Sequence, residues 1–412
     1  MVKPFKGVRY NLEKTLLKQV IAPPYDVISN EQKEVLKLRS PYNVVNLILP
    51  DGNYEEAAKK YNDWKKEKIL IKDPEPVFYL YEQEYEYDGK KYVRTGFIGL
   101  LKLEDYGKGN VFPHEKTLSG PKMDRFNLMK AAKANFSQIF GLYIDEERFL
   151  DKIFSSIKKE MPVASAVNDE KVKNSLWLID DGEIKKTIED FMKNKKIYIA
   201  DGHHRYETAL KYREYMRELN GDSPDDIKPY DFVMMMFVNF YDEGLKVFPT
   251  HRVVEYNGNL DELLEKIKTS YTVENVNSYE EGIKKQSESD YPAFVLYYKG
   301  DFKLLRLSVE EYEKLHPIYR KVDAYVLEET ILKPILGFTE EKLLKKEGIY
   351  FVQNMAQIEK IEKERENIVA FFLKGVDIEV IKEIAENGLV MPQKSTYFYP
   401  KLDSGLVFND LC

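Results

Sequence analysis

The chain has 412 residues, 43% hydrophobic and 13% aromatic, and its 63 basic and 70 acidic side chains give a net charge of −7. This is enough chain for two or three ordinary domains with cores of their own, and the composition excludes disordered, collagen-like and coiled-coil proteins. Charged residues at 32% exceed the usual value of about 25% and, with Lys and Glu abundant, lean towards a heat-loving source, while acid spread along the chain argues against a nucleic-acid partner.

In chain order, residues 53–68 have helical spacing through Ala57, Tyr61 and Trp64 and end at the proline-bounded KDPEP. Alternating Val77, Tyr79 and Tyr81 lead into Asp88-Gly89, and the chain returns to Leu103, which predicts a hairpin closed by a two-residue turn. Helix is expected over 124–134 and 146–160, with a strand at 139–144 between them and a polar stretch at 164–174. A strand from Leu176, a turn at Asp181-Gly182, helix 184–194, strand 197–200, helix 205–219 and strand 232–240 then alternate in α/β fashion. Beyond residue 257 the pattern predicts helix and strand, a hairpin at Gly300-Asp301, helices to 345, strand 368–374, helix 378–387 and a last hairpin ending at Phe408. The expectation is a mixed α/β to α+β protein in three segments: 1–150 with the hairpin, 151–256 in α/β style, and 257–412.

The sole cysteine, Cys412, leaves no intramolecular disulfide and no thiolate metal cluster, which fits a reducing cytoplasm. The opening MVKPFKGVRYNLEK has no apolar core of signal-peptide length, and the longest strongly apolar run, 232–238, is too short to cross a bilayer. The expectation is therefore a cytoplasmic protein with no membrane role.

The most informative segment is IYIADGHHRYETAL, residues 197–210. An apolar strand runs into Asp201-Gly202, and a helix follows whose Ala209, Tyr212, Met216 and Leu219 recur on one face. Gly202 lets backbone approach a ligand, first-turn N–H groups lack intrahelical partners, and His203, His204 and Arg205 add donors and positive charge there, which is the geometry of an anion site. The plain structural alternative has Asp201 capping the helix, Arg205 pairing with Asp201 or Glu207, and both histidines merely packed.

A second polar loop packs His114, Glu115, Lys116, Thr117, Ser119, Lys122, Asp124 and Arg125 ahead of a helix. Metal binding is one reading, since His114, Glu115, His203, His204 and His251 offer ligands, but no second His follows HEKTL at the spacing of a helical zinc pair. A solvated polar turn is the other. In Ala22-Pro23-Pro24-Tyr25-Asp26 the prolines fix an extended backbone that presents Tyr25 and Asp26 rigidly. Lys394-Ser395-Thr396 has the ending of a phosphate-binding loop without the glycines before it, so a Walker A motif is excluded, and neither G-x-G-x-x-G nor G-x-S-x-G occurs.

Four of these segments, APPYDVI (22–28), HEKT with Asp124-Arg125, YIADGHHRYETA (198–209) and PQKSTYFYPKLDSGL (392–406), together resemble the family known as domain of unknown function 1015. The DGHHR stretch alone is similar to the box shared by ParB proteins, sulfiredoxins and free serine kinases. That resemblance implies a ParB/sulfiredoxin-like nucleotide-binding core with added antiparallel sheet and helices, and phosphate at Gly202, His203, His204 and Arg205. Sulfiredoxin chemistry is disfavoured because Gly202 stands where its cysteine is needed, and DNA partitioning because no helix-turn-helix or basic face is evident.

The leading expectation is thus an ATP-dependent phosphotransferase on a small hydroxylated metabolite, or a nucleotide hydrolase. A nucleoside tri- or diphosphate with Mg²⁺ would be held by Gly202, His203, His204 and Arg205, with His114, Lys116, Thr117, Arg125, Lys394, Ser395 and Thr396 as further contacts. His203 or His204 would neutralise developing charge, and Asp201, Asp26 or Glu115 would serve as base or Mg²⁺ ligand. The alternatives are a ParB-like nucleotide-sensing or DNA-associated protein without turnover, and a metal-dependent hydrolase. Self-association is compatible with either.

Overall fold

The computed structural model describes residues 1–115, 119–365 and 367–411, with the backbone alone for 119–121. The chain divides into two units by contact: residues 1–113, 117–246 and 400–412 form unit 1, and 114–116 with 247–399 form unit 2. This division cuts across the three segments read from sequence, since strands on both sides of residue 150 share one sheet and the end of the chain returns to unit 1.

Among the described residues, unit 1 holds a nine-stranded mixed sheet. Its strands are β1 (Val2–Lys3), β2 (Phe78–Tyr87), β3 (Lys90–Lys102), β4 (Val111–Phe112), β5 (Ile139–Tyr143), β6 (Ala164–Val167), β7 (Lys173–Ile179), β8 (Ile197–Asp201) and β9 (Phe232–Asn239). They run in the order β4-β8-β5-β9-β3-β2-β7-β6, with β1 also on β3. Pairs β8/β4 and β9/β5 are parallel and the rest antiparallel. The expected hairpin is β2–β3: Asp88 and Gly89 both take positive φ, 51° and 69° respectively, as a primed turn demands. The FVMMMFVN run of β9 is buried throughout because neighbours cover both faces. Helices α1 (Tyr54–Lys66), α2 (Ser119–Ala132) and α3 (His203–Asn220) complete the frame, and α2 packs on both α1 and α3. The polar stretch at 164–174 forms β6, the link after it and the start of β7.

Unit 2 contains a six-stranded antiparallel sheet of β10 (His251–Glu255), β11 (Tyr271–Val276), β12 (Ala293–Tyr298), β13 (Asp301–Leu307), β14 (Ile349–Val352) and β15 (Ile368–Phe372), ordered β11-β13-β12-β15-β10-β14. The β12–β13 turn is formed by Lys299 and Gly300, both at positive φ, one residue earlier than expected. Strand β14 and the helix Met355–Glu364 were not legible in the sequence pattern.

The last hairpin does not form. Asn409–Asp410 pairs with Ala134–Asn135 and not with Tyr397–Tyr399, while Ser404 and Phe408 bridge to Ala22 and Val8. The tail is therefore woven between distant segments, a pairing that no local periodicity encodes.

Candidate functional site

The first turn of α3 is built as the sequence predicts. Strand β8 delivers Asp201 to its end, Gly202 takes φ 94°, ψ 27° as the N-cap, and the helix begins at His203 with no side-chain cap from Gly202 and no acidic residue in its first turn. That backbone suits glycine. The guanidinium of Arg205 folds back over it, so that a β-carbon at position 202 would lie 2.9 Å from Nη2 and 3.1 Å from Cζ.

Arg205 donates through Nη1 to the carbonyl of Gln138, and its Nη2 is 3.5 Å from Asp201 Oδ2. Lys401 Nζ is also 3.5 Å from that oxygen, so Asp201 stands between two cations with 24% of its side chain exposed. The plain structural pairing of Arg205 with Asp201 is thus present, at a separation longer than a good hydrogen bond. His203 is buried and His204 half-buried. Gln138 is buried, gives Nε2 to the carbonyl of Asp403 at 3.1 Å, and has an Oε1 with no hydrogen-bond partner among the described residues.

Two other predicted segments reach the same turn. Tyr25 opens a short 3₁₀ turn after the prolines, and the Arg125 guanidinium lies 4.1 Å from its ring centre. Burial holds the Tyr25 phenol above its ordinary pKa, Asp26 adds to this, and the nearby positive charges of Arg125 and Arg205 oppose it. Arg125 is anchored on the Ile48 carbonyl at 2.7 Å and on Asp124, whose other oxygen accepts from Tyr54 at 2.8 Å. A cavity of about 50 Å³, lined in part by Tyr25, Arg125, Ser137, Arg205 and Thr208, opens between them. Asp26 is exposed.

The tail supplies what sequence reasoning missed. Asp403 is buried, accepts from Asn174 at 2.7 Å and Asn168 at 2.9 Å, and burial pushes its carboxyl up to about 7. Ser404 Oγ is 2.8 Å from Ser137 Oγ. Their signal was the LDSGL stretch, legible only as part of a longer motif.

Four more of the predicted contacts, with Glu115, belong to unit 2 and meet one another there. His114 Nε2 is 3.2 Å from Thr396 Oγ1, Glu115 Oε1 accepts the Lys394 N–H at 2.5 Å, and Ser395 Oγ donates to the Pro392 carbonyl at 2.6 Å. Lys394 takes a left-handed φ of 56°. Lys116 and Thr117 lie outside the described residues. His251 is buried, accepts the Leu373 N–H at Nδ1, and burial with Arg252 beside it lowers its pKa to about 4. Among the described residues no group of three or more His, Cys, Asp or Glu is placed to hold a metal ion. The metal reading of His114, Glu115, His203, His204 and His251 thus finds no such group among the described residues. No helix of the described residues is long and apolar enough to cross a membrane.

Residues 2–325 match the family model described as "Protein of unknown function (DUF1015)"; the chain belongs to this family, as its motifs indicate. None of the curated proteins matches the chain. Solved structures similar to part of it include a conserved hypothetical protein from Pyrococcus furiosus (15% identity, TM-score 0.33, covering 72% of this chain and 92% of that one). A free serine kinase in complex with AMP (14%, 0.33, 72% and 89%) and SbnI with a C-terminal truncation from Staphylococcus aureus (8%, 0.38, 74% and 84%) are others. Likeness at that level carries no inference about activity.

Proposed function

We propose that this DUF1015-family chain binds the phosphates of a nucleotide at the first turn of α3 and transfers a phosphoryl group to a small hydroxylated metabolite. The observation that carries the reading is the Arg205 guanidinium lying over the bare backbone of Gly202 at an uncapped helix start. A phosphate there accepts first-turn N–H groups, gains from the helix dipole and meets the planar fork of Arg205. Arg125 and Tyr25 border the adjoining cavity, where a second charged group of the ligand is accommodated. Gln138 Oε1 offers a buried acceptor on the residue whose carbonyl Arg205 holds.

Asp201, between Arg205 and Lys401, is the best-placed carboxylate to take a proton from an attacking hydroxyl, and Asp26 is a second. His203 and His204 supply polar contacts at the same turn. With no three-ligand protein group for a cation among the described residues, Mg²⁺ would arrive on the phosphates and lean on one or two of these carboxylates. Glu115, which sequence reasoning also offered as base, is engaged with the Lys394 N–H in unit 2 and has no part in the scheme.

The test is calorimetry of the full chain with ATP, ADP, CTP and GTP in the presence of Mg²⁺, repeated on Arg205→Ala. At least a tenfold loss of affinity is expected, with a melting temperature lowered by no more than a few degrees, since one hydrogen bond to Gln138 is worth about 1 kcal/mol. Equal binding by the variant, or no binding of any nucleotide by the native chain, would overturn the proposal.

A further inference from the structure

Unit 2 has a separate cavity of about 220 Å³, the volume of about seven water molecules. Its walls are aromatic and aliphatic, with Tyr319 and Tyr325 stacked at 4.9 Å and Phe351 beside Leu343 and Val390. Its charge is lopsided. Glu328, Glu329 and Glu340 face a single cation, Lys333, and that ammonium is bonded to both Glu329 and Glu340. Glu328 is left with no hydrogen-bond or ion-pair partner among the described residues. It opens a π-helical stretch, Glu328–Leu332, a local distortion found often at functional sites.

Two further polar groups stand at the cavity or beside its lining. Gln393, from the motif whose Lys394-Ser395-Thr396 does not make a phosphate loop, lines the cavity, and its buried Nε2 has no hydrogen-bond partner among the described residues. Arg252 is fully buried, with its guanidinium 4.7 Å from the centre of the Phe351 ring and its Nε likewise unpartnered. Both atoms are N–H donors, so water or an acceptor atom meets them and the ammonium does not.

We infer that this cavity binds a small organic cation, a primary amine on an apolar body, whose ammonium pairs with the Glu328 carboxylate. The aromatic faces accept the body and reinforce the positive charge by cation–π attraction. The neighbours of Glu328 fix the pH dependence. Burial pushes its carboxyl up to about 7; Arg252 and Lys333 pull the other way, and Glu340 and Glu329 add to the rise. An amine is charged throughout this range, so its affinity grows as Glu328 ionises, by about tenfold between pH 6 and pH 8.

The experiment is isothermal titration calorimetry of the full chain with phenethylamine, 2-phenylethanol and 3-phenylpropionate, which share a body and differ in charge. Phenethylamine is expected to bind at least tenfold more tightly than the neutral alcohol, and Glu328→Gln, which keeps the shape, is expected to erase that preference. Arg205→Ala serves as the control: it is expected to leave amine binding intact, so failure here and failure of the nucleotide proposal are separable. Should the Glu328 variant not fold, the comparison of amine with alcohol on the native chain decides alone. Equal affinity for amine and alcohol, preference for the carboxylate, unchanged binding by Glu328→Gln, or no binding of any probe would overturn the inference.

Discussion

Arg205 in unit 1 and Arg252 in unit 2 each follow a short polar stretch at the edge of a strand, yet the structure uses them oppositely. Arg252 is 0% exposed and donates to the carbonyls of Thr250, Lys394 and Gln393 at 2.6, 3.0 and 3.2 Å, stitching β10 to the 393–394 segment. Arg205 keeps 14% of its side chain open, donates to one carbonyl, and holds its carboxylate neighbour at 3.5 Å. A guanidinium spent on three backbone carbonyls holds the chain together, whereas one that donates to a single carbonyl has donors left for the phosphate proposed above.

The sharpest way to break that comparison is to truncate both. Arg252→Ala strands one buried and two part-buried carbonyls and is expected to destabilise by about 3–5 kcal/mol, against about 1 kcal/mol for Arg205→Ala. Denaturant midpoints of the two variants check this, and equal losses would show that the two arginines do the same structural job.

What was legible in the sequence follows the same division. The strand, turn and helix around Asp201-Gly202 could be read locally, because apolar β8, a glycine and a 3–4 spaced stripe are neighbours in the chain. So could the Asp88-Gly89 hairpin. What could not be read was long-range: that His114 and Glu115 join Thr396 and Lys394, 282 and 279 residues on, while Arg125 joins Tyr25. Side-chain periodicity reports which face is buried and is silent about which distant segment covers it. Asp403 was missed for that reason, since nothing near it in sequence shows that Asn168 and Asn174 will enclose it.

The buried tail gives the next prediction. Asp403 has a folded pKa of about 7, above the unfolded value of about 3.9. The folded chain therefore holds this proton where the unfolded chain has lost it, and stability falls as pH rises from about 4 to 7, by as much as a few kcal/mol. Asp403→Asn removes the ionisation and is expected to flatten that part of the stability–pH curve relative to the native chain. Parallel curves would mean that the carboxylate is already ionised in the fold.

The smallest effect isolates the backbone beneath Arg205. At φ 94° a side chain is strained, and a β-carbon would press on Nη2 at 2.9 Å, so Gly202→Ala is expected to cost about 1–2 kcal/mol. Because the atom it meets is the far end of a flexible side chain, the guanidinium can move aside and the fold survive. Nucleotide affinity is then the discriminating measurement. If phosphate rests on this turn, the displaced guanidinium and the added methyl weaken binding severalfold beyond the change in melting temperature; if Gly202 matters for the turn alone, affinity holds while stability drops.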